Sequence, residues 1–448
     1  MSMKRLVILG GGESGTGAAL LGKAKGYEVF LSDLNELKDK YRDILTANQI
    51  PFEEKKHTEE IILQADLVIK SPGIPDKAPL IRRLREQGTE IISEIEFASR
   101  YTQSKIIAIT GSNGKTTTTL LTYHLLKSAG WSVGLAGNVG ESFARQVLAG
   151  EYDYYVLELS SFQLDNMYDF RADVAVLLNI TPDHLDRYEY KLENYIRSKF
   201  RIIRNQRPDD FFIYYLEDPV IGKELPVQSP AATLLPVSLK GNTEAAASLQ
   251  NDGLTFRIDE LAGKVIPLEV LPIKGPHNYL NAMSAVLAAA KAGLSFESIV
   301  AGLATFKNAS HRLEKVAVID GVEYINDSKA TNVDSVYYAL QSFENPIILL
   351  LGGVDKGNDY DAIRELVKAK VKGIIALGKD NAKLENYFSP LVPSFFATDR
   401  LDEALRKARE WAVANDVVLL SPACASFDLF KNYEDRGDRF KEAVLKLV

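Results

Sequence analysis

Cysteine is almost missing from this chain: Cys424 stands alone among 448 residues. No internal disulfide can form, which fits a reducing compartment. An excess of positive charge is missing too, and a net charge of −7 gives no reason to expect a nucleic-acid partner. The opening "MSMKRLVILGGG" turns from strand into glycines too soon for a signal sequence or a membrane span. A cytoplasmic protein without membrane insertion is expected. No solenoid-length repeat or low-complexity tract interrupts the chain. What remains is 46% apolar and 25% charged, the balance of a globular protein long enough for about three domains.

A further absence lies inside a motif. "IIAITGSNGKTTTTLLTYHLL", residues 106–126, resembles a phosphate-binding loop, yet the usual GxxxxGK[ST] needs glycine five residues before Gly114, where Ile109 stands. The local physics is intact. Ile106 to Ile109 suit a buried strand, and Lys115 onward reads as a helix ending at Gly130. The turn Gly111, Ser112, Asn113, Gly114 aims backbone N–H groups and a helix N-terminus at an anion. Lys115 adds a cation, and the hydroxyls of Thr116 and Thr117 follow, that of Thr116 suited to Mg²⁺. ATP or GTP is the leading ligand.

Three blocks of alternating strand and helix are expected. The first holds Gly10-x-Gly12-x-x-Gly15 after a strand, then Asp33 at the next strand end, a dinucleotide fingerprint in form that would favour NAD(P). Asp33 also suits a strand-end turn. In the second block, "DYYVLELSSF" and "DVAVLLNITPDH" are strands whose carboxyl ends should bring Glu158, Ser160, Asn179, Asp183 and His184 towards the phosphates. Residues 216–275 read as a small appended antiparallel sheet, and "GPHNYLNAMSAVLAAAKAG" as a helix. The third block alternates again from "VEYIND" to a last helix, a second doubly wound α/β domain.

Across the blocks, "GSNGKTT", "ELSSFQL", "TPDHLDRY", "SKFRI", "GPHNYLNA", "SHRLE", "NDSKATN", "LLLGGVDKG" and "SPACASFDLFKNYEDRG" together resemble the Mur ligases of peptidoglycan synthesis, in order and over nearly the whole chain. Their short phosphate loop is the one found here, and "NDSKATN" resembles the branch that adds D-glutamate. The resemblance implies an α/β fold of three domains: a Rossmann-like domain for the UDP-substrate at 1–102, a central P-loop ATPase-type parallel sheet at 103–308, and a Rossmann-like D-glutamate domain at 309–448. It implies that ATP phosphorylates the carboxylate of UDP-N-acetylmuramoyl-L-alanine, that the D-glutamate amine attacks the acyl phosphate, and that phosphate leaves. A monomer with small-molecule partners is expected.

The same resemblance assigns residues. Lys115, Glu158, His184 and Lys199 would be catalytic, with Thr116, Glu158, His184 and Lys199 around two Mg²⁺ ions. ATP would meet residues 111–117, Asn278, Asn281, Arg312 and Asp327. The UDP-substrate would meet Ser14, Gly15, Asp33, Ser71, Asn138, Gln163 and His184, and D-glutamate His311, Lys329, Thr331, Lys356, Ser426 and Tyr433. Arg312 and Asp327 make sense only if the third domain closes. Plainer roles are open: a solvated strand end for Glu158, an N-cap for Asn278, a core ring for Tyr433. Lys199 lies with Leu192, Ile196 and Ile203 on an apolar helical stripe, where a lysine commonly snorkels. Buried instead, its amine would turn neutral and could take up CO₂; the resemblance implies such a carbamylated lysine as a Mg²⁺ ligand.

Overall fold

The computed structural model describes residues 3–251, 253–258, 261–355 and 357–447. Two compact units result, Met1–Val270 with Leu280–Phe306, and Leu271–Tyr279 with Lys307–Val448. Among the described residues no helix is long and apolar enough to cross a membrane.

The first unit holds two sheets. In the amino-terminal one, β1 (Arg5–Leu9) is flanked by β2 (Glu28–Ser32) and β4 (Leu67–Lys70), with β3 (Phe52–Glu53) and β5 (Glu90–Ile92) outside. All its pairings are parallel. The parallel strands of the second sheet are β6 (Lys105–Thr110), β7 (Val133–Gly137), β8 (Tyr154–Glu158), β9 (Val174–Leu177), β10 (Phe211–Tyr215) and β11 (Thr233–Ser238). Continuous apolar runs such as Ile106 to Ile109 and Val174 to Leu177 are buried on both faces, as helix-covered parallel sheets require. The antiparallel strands β12 (Ala247–Gln250), β13 (Gly253–Phe256) and β14 (Val265–Pro267) do not stand apart from this sheet. They join its edge through a short parallel pairing of Val237 and Ser238 with Ala247 and Ser248.

Register decides where the chemistry can sit. Ile109 of β6 lies level with Glu158 of β8, and Thr110 with Leu177 of β9, so three loops leave the sheet at one height. The two sheets of this unit share a core that runs from Leu6 to Ala232. Buried carboxylates join them across the seam. Glu96 accepts N–H bonds from Tyr168 at 3.0 Å and Phe170 at 2.9 Å, and Glu94 accepts from the Ser142 hydroxyl at 2.6 Å and the Ala144 N–H at 2.7 Å.

The second unit is one sheet of β15 (Glu314–Ile319), β16 (Val322–Asn326), β20 (Val417–Leu420), β17 (Ile347–Leu351), β18 (Val371–Leu377) and β19 (Ser394–Thr398), in that spatial order. Only β15 runs antiparallel. Ile347, Leu349 and Leu351 feed one helix-covered core and Ile348 and Leu350 the other, the period-two alternation of a doubly wound sheet.

Candidate active site

The short loop is built by hydrogen bonds from the neighbouring strand end. Asn179 accepts the Asn113 N–H at 2.8 Å and returns its amide to the Asn113 carbonyl at 3.1 Å. The Ser112 hydroxyl donates to the Thr181 carbonyl at 2.9 Å and meets the Tyr195 hydroxyl at 3.0 Å. Gly114 caps the helix Lys115–Ser128 at a φ of +86°, and a Cβ there would lie 2.4 Å from Asn281 Oδ1. Asn281 therefore packs against the loop, which needs glycine on both counts. Lys115 Nζ folds onto the carbonyls of Gly111 and Ser112, at 2.7 and 2.8 Å, and Thr116 is half-buried beside it.

Lys199 lies behind this loop. Its side chain is fully enclosed, with Nζ donating to the Gly111 carbonyl at 2.8 Å and lying 4.8 Å from the centre of the Tyr195 ring. Desolvation first, and the Lys115 charge second, hold its pKa well below the ordinary lysine value. It does not snorkel. The helix that carries it, Leu192–Phe200, passes into a 3₁₀ turn at Arg201–Ile203, shorter than the stripe through Ile203 suggests.

Glu158 is no solvated strand end either. It is 1% exposed; Oε1 accepts from Asn138 Nδ2 at 2.8 Å, while Oε2 is buried with no hydrogen-bond partner among the described residues. A buried carboxylate oxygen without a donor asks for a cation. His184, at a φ of +52°, faces the Asp183 carboxylate at 3.6 Å and meets the Phe162 ring edge-on. Among the described residues no three His, Cys, Asp or Glu side chains gather as a metal cluster. A Mg²⁺ here would draw on the orphaned Glu158 oxygen and the Thr116 hydroxyl, with His184 and an anionic Lys199 adduct as further ligands, a hard oxygen-rich set that fits that ion.

The amino-terminal glycine turn is tight for a mechanical reason: a Cβ on Gly15 would sit 1.9 Å from the Gly10 carbonyl. Asp33 accepts the Gly11 N–H at 2.7 Å and the Asn35 N–H at 2.8 Å, the turn role open to it from sequence. Ser14, half-buried, opens the helix Glu13–Ala24. The Ser71–Gly73 turn is reached from the central sheet by Arg187, whose guanidinium donates to the Pro72 carbonyl at 3.1 Å and stacks on Phe162. Gln163 spends its side-chain oxygen on a capping box with Ser160.

In the second unit, His311, Lys329 and Tyr433 meet. The ammonium lies 3.6 Å from the Tyr433 ring centre, the imidazole edge-on at 6.1 Å, so this ring is no simple core aromatic. Burial lifts the Asp327 carboxyl to about 7 against bonds from the Ser421 hydroxyl and the Leu313 N–H. Arg312 adds a nearby positive charge. Thr331 is half-buried and Ser426 buried; Lys356 lies outside the described residues. Asn278 is not an N-cap: it stands inside the helix Pro276–Ala292, and its amide donates to the Lys274 carbonyl at 2.8 Å.

Three family models cover the chain: a MurD N-terminal domain at 5–79, a Mur ligase middle domain at 109–289, and a Mur ligase glutamate ligase domain at 311–424. It is 53% identical to the UDP-N-acetylmuramoylalanine--D-glutamate ligase of Bacteroides fragilis over 99% of this chain and 100% of that one. The chain belongs to the Mur ligase family. To the enzyme of the same description from Cytophaga hutchinsonii it is 54% identical, over 99% of each chain. The UDP-N-acetylmuramate-alanine ligase MurC of Thermotoga maritima shares the fold, with a TM-score of 0.63 at 20% identity over 99% of this chain and 100% of that one.

Two residues of this Mur ligase were not legible beforehand. Tyr195 precedes Lys199 by one helical turn, a spacing that could have marked it. Arg436 gave no such signal. It is 2% exposed, and its guanidinium donates to Ser328 Oγ at 2.9 Å and to the carbonyls of Ser328 and Cys424, at 2.9 and 3.2 Å. These loops leave the carboxyl ends of β16 and β20, so Arg436 sets the frame in which Lys329 and Ser426 stand. Desolvation lowers its pKa to about 10.

Proposed function

We propose that this Mur ligase joins D-glutamate to UDP-N-acetylmuramoyl-L-alanine, forming ADP and phosphate through an acyl phosphate. The observation that carries the reading is a phosphate-type loop with the Glu158 oxygen that has no partner among the described residues and the enclosed Lys199 at the same sheet edge. Relatives 53% to 54% identical along their whole length, described as ligases of that specificity, support it.

In this reading residues 111–117 cradle the ATP phosphates, Asn281 braces the loop, and Asn278, Arg312 and Asp327 complete the nucleotide contacts. Lys115 offsets charge as the substrate carboxylate attacks the γ-phosphorus, where two anions would otherwise repel. Thr116, Glu158, His184 and carbamylated Lys199 would hold Mg²⁺. That ion, when bound, supplies positive charge between phosphate and carboxylate. Ser14, Gly15, Asp33, Ser71, Asn138, Gln163 and His184 form the UDP-substrate side. The Gly10 and Gly11 N–H groups are given to Ser32 and Asp33, so the diphosphate would rest on the N-terminus of the helix that follows. His311, Lys329, Thr331, Lys356, Ser426 and Tyr433 receive D-glutamate, whose amine attacks the acyl phosphate; the tetrahedral intermediate then expels phosphate. The regions 1–102, 103–308 and 309–448 correspond to these three tasks. The enzyme acts as a cytoplasmic monomer.

The test is coupled ADP release with UDP-N-acetylmuramoyl-L-alanine across a panel of amino acids. D-glutamate alone should support turnover. Equal rates with L-glutamate or a diamino acid would overturn the assignment.

A further inference from the structure

The Lys199 helix has an outer side that this reaction does not use. Arg197, Arg201 and Arg204 recur there at i, i+4 and i+7, through the helix and its 3₁₀ extension, so their guanidiniums share a face. They line a cavity of about 540 Å³, with buried Phe200 and Ile203 behind them and Gln228–Ala231 opposite. Among the described residues no carboxylate lines it.

Arg42, Arg100, Arg171, Arg400 and Arg439 each meet an Asp or Glu. Arg187 and Arg436 have no ion pair among the described residues but spend their guanidiniums on backbone carbonyls, and what sets the cavity apart is that three arginines gather on one wall. None of Arg197, Arg201 and Arg204 forms an ion pair among the described residues, and the Arg204 guanidinium makes no hydrogen bond there. Arg197 reaches only Asn194, and Arg201 uses two of its N–H groups on the carbonyls of Leu164 and Met167, at 2.8 and 2.7 Å. Arg201 also lies over the Tyr168 ring at 5.3 Å and feels the Asp165 charge, whereas Arg197 and Arg204 face the cavity with no carboxylate in contact among the described residues, so an anion entering there would relieve their mutual repulsion.

We propose that this cavity is a second ligand site, one that takes a phosphorylated small molecule. Guanidinium forks match phosphate oxygens two at a time, and the volume falls within the range of small-molecule sites, room for an organic body against Phe200 and Ile203. Occupancy would be felt at the reaction centre. Arg201 is two residues beyond Lys199, and its bonds to Leu164 and Met167 hold the end of the short helix Ser161–Leu164 that carries Gln163.

The experiment is calorimetric titration of fructose 1,6-bisphosphate and of 2,3-bisphosphoglycerate into full-length enzyme whose nucleotide loop is saturated with Mg²⁺ and a non-hydrolysable ATP analogue. At least one probe should bind, and Arg197→Gln with Arg204→Gln should weaken it by about tenfold for each guanidinium, while turnover without the probe is unchanged. Hydrogen exchange should slow across 192–204 on binding. Failure of both probes to bind, equal affinity in the double variant, or protection confined to other segments would overturn the proposal. In each of those cases the guanidiniums serve only to offset the carbonyl ends of the two helices, Leu192–Phe200 and Pro219–Gln228, that meet there.

Discussion

Lys199 has been taken out of water without a carboxylate in direct contact, and burial pushes its amine towards the neutral form, the one that can react with CO₂. Lys199→Ala should lose nearly all turnover and regain part of it when acetate fills the vacated space. Full activity of the alanine variant, or no response to acetate, would count against a carbamate. Arg436 presents the opposite case, a charge satisfied by backbone carbonyls and the Ser328 hydroxyl, with no carboxylate in contact among the described residues. Arg436→Ala would strand those carbonyls, costing roughly 2 to 4 kcal/mol, and would release the loops bearing Lys329 and Ser426. The KM for D-glutamate should rise by about tenfold or more, with that for ATP little changed. Parallel loss in both would make Arg436 a matter of stability only.

At the scale of elements, the loop works because a left-handed residue and a close neighbour coincide at Gly114. Gly130 ends the same helix region at a nearly equal φ of +87°, yet a Cβ there would meet nothing within 4 Å. The pair separates strain from contact. Gly130→Ala should cost about 1 kcal/mol of backbone strain and leave nucleotide binding alone. Gly114→Ala carries the same strain and also drives into Asn281, so ATP affinity should fall at least about tenfold. Calorimetry of both variants decides it, and equal affinities would show that the Asn281 contact yields. The antiparallel strands β12 to β14 belong to this scale too. Their period was readable, but whether they formed a separate sheet depended on one edge pairing at Val237 and Ser238.

For the first unit as a whole, Glu94 ties stability to pH. Burial lifts its carboxyl to about 7, against bonds from Ala144 N–H and the Ser142 hydroxyl. A raised acid favours the folded state while protonated, so its contribution is full below about 4.5 and is lost as pH climbs through about 7. Glu94→Gln keeps the acceptor and removes the charge. The variant should match the parent near pH 4 and exceed it near pH 8 by up to about 3 kcal/mol in denaturant unfolding. A variant-to-parent difference that does not change with pH would mean that folding leaves the Glu94 pKa unshifted. Such seams are invisible in sequence, because Glu94 and Ser142 are far apart along the chain and neither carries a motif. The sequence by itself determined the strands, the glycine turns and the family, because apolar period, left-handed backbone and motif spacing are local properties. It also contained the stripe that holds Lys199. Tertiary structure alone decided that this lysine is enclosed rather than snorkelled, that Glu158 has an oxygen without a donor among the described residues, that Asp33 closes its own turn, and that Arg436 ties two strand ends together. Each of these depends on which distant atoms exclude water from a side chain, and that is set only when the sheets stack.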